Sequence, residues 1–88
     1  MREFEIKPQL QKKLQKLLKK DKILYEAILT KIEEILVVQD VTHYKNLKNR
    51  LKEFKRVHVK SSFVLLFQHN ADDSVSFFDV AHHDDIYK

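Results

Sequence analysis

The spacing of hydrophobic and polar residues changes about halfway along the chain. Near the start, Phe4 and Ile6 alternate with charged residues, which predicts a short β-strand. Apolar residues then recur every three or four positions in two sets, which is typical of an α-helix with one apolar face. The first set comprises Leu10, Leu14, Leu17 and Leu18, and the second comprises Leu24, Ile28, Ile32, Ile35 and Leu36. We therefore predict two amphipathic helices.

Two residues mark the beginnings of these helices. Pro8 suits the first turn of a helix, where a backbone N–H has no intrahelical partner. Asp21 can accept a hydrogen bond from the first turn of the second helix and so cap it. Because the connection is so short, we predict an antiparallel helical hairpin. Residues 39–52 are polar and basic, and we interpret them as a linker with one helical turn.

The second half of the chain is dominated by predicted strands. Arg56, His58 and Lys60 alternate with valines, which indicates a strand with one polar and one buried face. Residues 63–67 are apolar enough for a central strand, and residues 75–80 predict a last strand after a polar turn. The predicted fold is therefore α+β, in the order β-α-α-β-β-β. We expect a small antiparallel sheet with the helical hairpin packed on one face, and a single domain over residues 1–88.

The composition excludes several classes of binding site. The chain has 88 residues, with no glycine, no cysteine and no tryptophan. Without glycine it cannot form the glycine-rich phosphate loops of dinucleotide-binding proteins or P-loop NTPases. Without cysteine it has no disulfides, thiolate metal sites or thiol nucleophile. Any chemistry must use other side chains, such as those of His, Lys, Arg, Asp, Tyr or Ser.

Charge is distributed unevenly along the chain. Residues 1–60 hold sixteen basic and eight acidic side chains, whereas residues 61–88 hold one basic and five acidic side chains. A basic field of this kind favours nucleic acid, anionic lipid or an acidic protein as partner. The longest apolar run, residues 63–67, is far too short to span a bilayer, and residues 1–5 lack the apolar stretch of a signal peptide. We expect a cytoplasmic location and no membrane partner.

Two groups of residues are candidates for chemistry. In a strand, Arg56, His58 and Lys60 share one sheet face. A solvated polar face is the simpler interpretation, but grouped cations also suit a polyanion. His82 and His83 are followed by two aspartates, yet adjacent side chains do not readily converge on one metal ion. We therefore expect no metal and no cofactor, and a histidine here that is exposed or acts as a general acid or base.

The second half also resembles a known family. Phe54 leads into Arg-Val-His-Val at residues 56–59, the apolar strand at residues 63–67 follows, and the chain closes with His-Asp-Asp-Ile-Tyr at residues 83–87. This order resembles the RelE/ParE superfamily of toxins, in its RelE/StbE-like or YafQ-like branch. The resemblance implies the toxin of a type II toxin–antitoxin module, an endoribonuclease that cleaves messenger RNA in the ribosomal A site. It also implies a cognate antitoxin that neutralises the toxin.

The resemblance assigns residues position by position. His58 and His83 match the two histidines of the YafQ-like branch, Tyr87 matches the aromatic position near the end, and Arg56 falls where RelE-like members place a basic residue. Two positions depart from the family. Ser62 stands where the YafQ-like pattern has Asp, and Val64 stands where RelE has Arg. The site therefore copies neither scheme completely.

The implied reaction, metal-independent attack by the RNA 2′-hydroxyl, needs a base, an acid and positive charge near the phosphate. We assign His58 and His83 to the base and acid roles in either order, and Arg56 and Lys60 to stabilising the transition state. Tyr87 is expected to stack on a base or orient the phosphate. Four further basic residues are expected to contact RNA backbone: Lys48, Arg50, Lys52 and Lys55.

Two other functions remain open on the sequence alone. A ParE-like inhibitor of DNA gyrase shares the fold but performs no chemistry, and histidines at both site positions count against it. A non-catalytic RNA-binding module would bind phosphate with steep salt dependence and cleave nothing.

Overall fold

A computed structural model describes residues 1–48 and 52–86 of the chain. Strand β1 (Phe4–Ile6) leads into helices α1 (Pro8–Lys20) and α2 (Lys22–Val37). A short 3₁₀ turn at Val41–His43 follows. Three strands and a four-residue helix complete the order: β2 (Lys55–Val59), β3 (Phe63–His69), β4 (Val75–His82) and α3 (His83–Ile86).

The helix boundaries confirm the sequence signals. Pro8 is the first residue of α1. Asp21 is the single residue between the helices and serves both of them. Its backbone N–H donates to the Leu17 carbonyl at the end of α1, and its carboxylate accepts a hydrogen bond of 3.1 Å from the Leu24 N–H at the start of α2. Both ends meet at one residue, which makes the hairpin tight.

The strands form one four-stranded sheet in the order β1-β4-β3-β2. The predicted α+β class and the predicted order of elements are confirmed. β2, β3 and β4 are antiparallel neighbours, whereas β1 lies parallel to β4, so the sheet as a whole is mixed. No hairpin turn joins β1 to β4, and so nothing in the local sequence sets the direction of this edge strand.

The helical hairpin covers one face of the sheet, and the core lies between the two layers. All five apolar residues predicted for α2 are buried there, as are Leu10 and Leu14 of α1. Leu18 is 47% exposed, which corrects its place on the predicted apolar face. It lies at the margin of that face, because the helical spacing turns it away from the direction shared by Leu10 and Leu17. No helix in the part of the chain that the structure describes is long and apolar enough to cross a membrane.

Candidate functional site

The face of the sheet turned away from the helices carries the candidate site, and we call it the open face. On β2, Val57 and Val59 pack toward the helices, with Val59 fully buried. Because side chains alternate along a strand, Arg56 and His58 point to the open face. His58 is exposed there and Arg56 is half-buried.

The tertiary structure brings the two predicted histidines together on the open face. The rings of His58 and His83 stack with centroids 5.4 Å apart and planes 25° from parallel. The sheet register explains the meeting, because Val64 of β3 pairs with His58 on one side and with Ala81 on the other. Two residues beyond Ala81, the His83 N–H donates to the Ser62 carbonyl at 2.6 Å, which fixes the start of α3 beside the β2–β3 turn.

Lys60 departs from the predicted alternation. β2 ends at Val59, and Lys60 begins the turn with a φ of 56°, in the left-handed region. The strand spacing from which Lys60 was predicted to share the face of Arg56 and His58 therefore does not extend to it, because Lys60 lies outside β2. A turn this short needs one residue in a left-handed conformation, and with no glycine available a lysine adopts it.

The remaining basic candidates occupy different positions. Lys48 and Lys52 are exposed. The Lys55 ammonium donates to the Tyr44 carbonyl at 3.1 Å and to Asn46 Oδ1 at 2.8 Å, so it fastens β2 to the preceding loop. Arg50 and Tyr87 lie outside the described residues.

The adjacent His82 has different contacts from His83. Its ring meets Phe63 edge to face, with centroids 5.6 Å apart. Its Nδ1 accepts a hydrogen bond of 3.2 Å from the Asp84 N–H, at the start of α3. Over residues 1–48 and 52–86, no group of three metal-ligating side chains is close enough to hold an ion.

Two acidic side chains of the sheet, Glu5 and Asp79, are paired with lysines. The Glu5 carboxylate lies 3.1 Å from the Lys7 ammonium and accepts a hydrogen bond of 2.9 Å from the Ser76 hydroxyl. The Lys7 contact and then the Ser76 bond hold the pKa of Glu5 below its ordinary value. On β4, Asp79 lies 2.7 Å from the Lys13 ammonium of α1.

An aromatic pair on the open face was not among the predicted site residues. The rings of Phe54 and Phe78 meet edge to face with centroids 4.8 Å apart, and the Lys7 ammonium lies 5.4 Å from the Phe78 ring. The spacing of Phe54, Arg56 and His58 at every second residue is a sequence signal for the first ring. Phe78 had no such signal, because it occupies a β-bulge at which Phe77 and Asp79 pair with consecutive residues of β3.

Comparisons with known proteins agree with this fold. No protein-family model matches the chain. A protein of Methanocaldococcus jannaschii named "Putative toxin RelE4" is 53% identical over 89 residues, covering 100% of this chain and 93% of its own length. The solution structure of HP0894 from Helicobacter pylori has a TM-score of 0.68 and 26% identity, covering 96% and 97% of the two chains. YafQ in the Escherichia coli DinJ–YafQ complex has a TM-score of 0.64 and 20% identity over the full length of both chains.

The two-layer α+β fold is that of the small toxins of the RelE/YafQ type. At 53% identity over its whole length to a RelE relative, the chain belongs to the RelE family of toxins.

Proposed function

We propose that this protein is a ribosome-dependent endoribonuclease that cleaves messenger RNA in the A site, as the toxin of a toxin–antitoxin module. The stacked pair of His58 and His83 carries the proposal. The two histidines are 25 positions apart in sequence, yet the fold holds both rings beside one exposed surface. One phosphodiester group can then contact two imidazoles, which supply the general base and the general acid that metal-free RNA cleavage uses.

The proposed reaction assigns each histidine one proton transfer. A neutral imidazole takes the proton of a ribose 2′-hydroxyl as its oxygen bonds to the adjacent phosphorus. The bond from phosphorus to the 5′-oxygen breaks, and the protonated imidazole gives its proton to that oxygen. The products are a 2′,3′-cyclic phosphate and a 5′-hydroxyl end. Imidazole suits both roles, because its ordinary pKa lies near neutral pH.

Positive charge around the phosphate is the second requirement. Arg56 lies two residues before His58 on the same sheet face, and its guanidinium can form paired hydrogen bonds with phosphate oxygens. Lys60, at the end of the β2–β3 turn nearest β2, is proposed to assist it, and Tyr87 to stack on a base or orient the phosphate. Lys48, Arg50, Lys52 and Lys55 are proposed to contact the RNA backbone, with Lys55 releasing its present bonds to do so.

A cognate antitoxin is the proposed protein partner. The support is the similarity to YafQ, which is found in complex with DinJ, and to the toxin of the Mycobacterium tuberculosis RelBE2 toxin–antitoxin complex, with a TM-score of 0.60. Co-expression of the chain with the product of a neighbouring gene, followed by co-purification, tests this partner directly.

Cleavage on programmed ribosomes tests the proposed enzyme. We expect the purified protein to cut a defined message at the A-site codon, read by primer extension. His58→Ala and His83→Ala should each lower the cleavage rate by about 100- to 10,000-fold, because each removes one proton-transfer group. His82→Asn is the matched control. It removes the neighbouring imidazole but keeps an acceptor for the Asp84 N–H, and should cleave at the wild-type rate.

Other outcomes would contradict the assignment in distinct ways. Wild-type cleavage by His58→Ala and His83→Ala would exclude the histidine mechanism. Binding of RNA without cleavage by the wild-type protein would support the non-catalytic module instead. Inhibition of purified gyrase in a supercoiling assay, without cleavage, would support the ParE-like function.

A further inference from the structure

We propose that Phe54 and Phe78 form a second RNA subsite on the open face, where a base of the bound strand a few nucleotides from the cleavage point stacks. This inference rests on the proposed function for the identity of the strand. It is carried by the aromatic pair itself, which the catalytic roles above do not use. Both rings are partly buried and keep part of their surface exposed, although neither belongs to the hydrophobic core.

The position of the rings suits a strand that passes the histidines. Arg56 and His58 share one face of β2, and Phe54 continues their two-residue spacing just before the strand begins. Phe54 is four residues from His58, a separation of about 13 Å along a strand. The open face therefore presents an aromatic pair, a guanidinium and an imidazole pair in sequence. A few nucleotides of one extended RNA strand can span this distance.

The β-bulge explains why Phe78 is available to this subsite. Leu66 pairs with Asp79 and Phe67 pairs with Phe77, so Phe78 is the extra residue on β4. Phe77 is fully buried in the core, and Phe78 turns to the opposite face, where its ring meets Phe54. Bulges redirect side chains in this way and are common beside functional sites.

Charge favours a nucleic acid over an apolar protein segment as the occupant. The Lys7 ammonium lies 5.4 Å from the Phe78 ring, and Arg56 follows two residues after Phe54, which directly precedes β2. Glu5, beside Lys7, and Asp79, directly after Phe78, are each bound to a lysine. Aromatic rings interleaved with cations are the arrangement by which proteins hold single-stranded RNA without reading its sequence. The surface is also continuous with the histidine pair.

Binding of an RNA that cannot be cleaved tests the subsite separately from catalysis. The probe is a fluorescein-labelled 2′-O-methyl oligoribonucleotide, which lacks the attacking hydroxyl, and binding is followed by fluorescence anisotropy. We expect Phe78→Leu and Phe54→Leu to weaken binding by about 5- to 100-fold, the effect of losing one base–aromatic stack. Phe78→Tyr keeps a ring and should bind within about twofold of wild type.

Phe4→Leu is the matched control, since Phe4 is an exposed phenylalanine that lies on the other side of β1 from Glu5. It should bind as wild type does. The subsite would be overturned if Phe78→Leu bound the RNA as tightly as wild type does, or if wild type did not bind it. It would also be overturned if Phe78→Tyr lost as much RNA affinity as Phe78→Leu. So would a loss of antitoxin binding in Phe78→Leu with RNA binding intact. Cleavage on ribosomes is measured separately. If the protein binds RNA through the aromatic rings but does not cleave it, the proposed enzymatic function is contradicted and the subsite is not.

Discussion

The guanidinium of Arg2 joins three segments of the chain that are far apart in sequence. Its Nε donates to Asp73 Oδ1 at 2.9 Å, in the turn between β3 and β4. Its two terminal nitrogens donate to four backbone carbonyls at and just beyond the end of α2, those of Ile35, Leu36, Val38 and Gln39. These carbonyls include groups that a helix end leaves without intrahelical partners, so Arg2 caps α2 from outside.

Arg2→Lys should therefore destabilise the protein although the charge is kept. A single ammonium cannot reproduce the planar fork that reaches both Asp73 and the helix end. We expect the free energy of unfolding to fall by about 1.5–3 kcal/mol, measured by urea denaturation. Lys19→Arg, an exchange in the last turn of α1, is the control and should change it by less than about 0.5 kcal/mol. An unchanged denaturation midpoint for Arg2→Lys would show that the hydrogen bonds of the guanidinium do not contribute to the free energy of unfolding.

At the scale of elements, the junction of α1 and α2 depends on one side chain. Asp21 accepts a hydrogen bond from the Leu24 N–H, and no other residue separates the two helices. Because the hairpin has no glycine to terminate α1, the position of the turn depends mainly on the Asp21 cap at the start of α2.

Asp21→Ala is expected to lower the free energy of unfolding by about 0.5–2 kcal/mol, because it leaves a helix N–H without its acceptor. Thermal and urea unfolding followed by far-ultraviolet circular dichroism measure the change. Asp21→Asn retains the acceptor oxygen and should remain near wild type. If Asn destabilised the protein as much as Ala does, the hydrogen bond would not be the cause.

At the scale of the whole molecule, Asp73 links the start of the chain to the sheet. Its carboxylate accepts hydrogen bonds from His69 Nε2 at 2.7 Å and from Arg2 Nε at 2.9 Å. The His69 bond and then the Arg2 bond hold the pKa of Asp73 below its ordinary value. A carboxyl group with a lowered pKa in the folded state stabilises it above the ordinary pKa, and this contribution is lost as the pH falls.

Asp73→Asn should make the thermal stability of the protein less dependent on pH in the acidic range. Wild-type thermal stability is expected to fall from about pH 5 downwards, and the variant should start lower at neutral pH and lose less on acidification. Asn tolerates the φ of 72° at this position, so the turn itself is preserved. Asp85→Asn, on the exposed short helix α3, makes the same change in net charge and should follow the wild-type profile. Parallel profiles for wild type and Asp73→Asn would contradict the linkage.

The open face shows how far a sequence alone leads to a functional site. The alternation of Arg56 and His58 with valines placed both side chains on one polar face, and the structure agrees. Lys60 could not be placed in this way, because the end of a strand depends on the turn that follows. Phe78 could not be found either, because a bulge shifts the register by one residue and only pairing with β3 shows it.

By itself, the sequence determined the helices, their beginnings at Pro8 and Asp21, the order of elements and the resemblance to RelE toxins. These depend on spacing and hydrogen bonds among residues a few positions apart. Only the tertiary structure decided the parallel direction of β1, the stack of His58 on His83 and the meeting of Phe54 with Phe78. Such contacts join residues from about 20 to 70 positions apart, and their geometry follows from the packing of the sheet against the helices and from strand register.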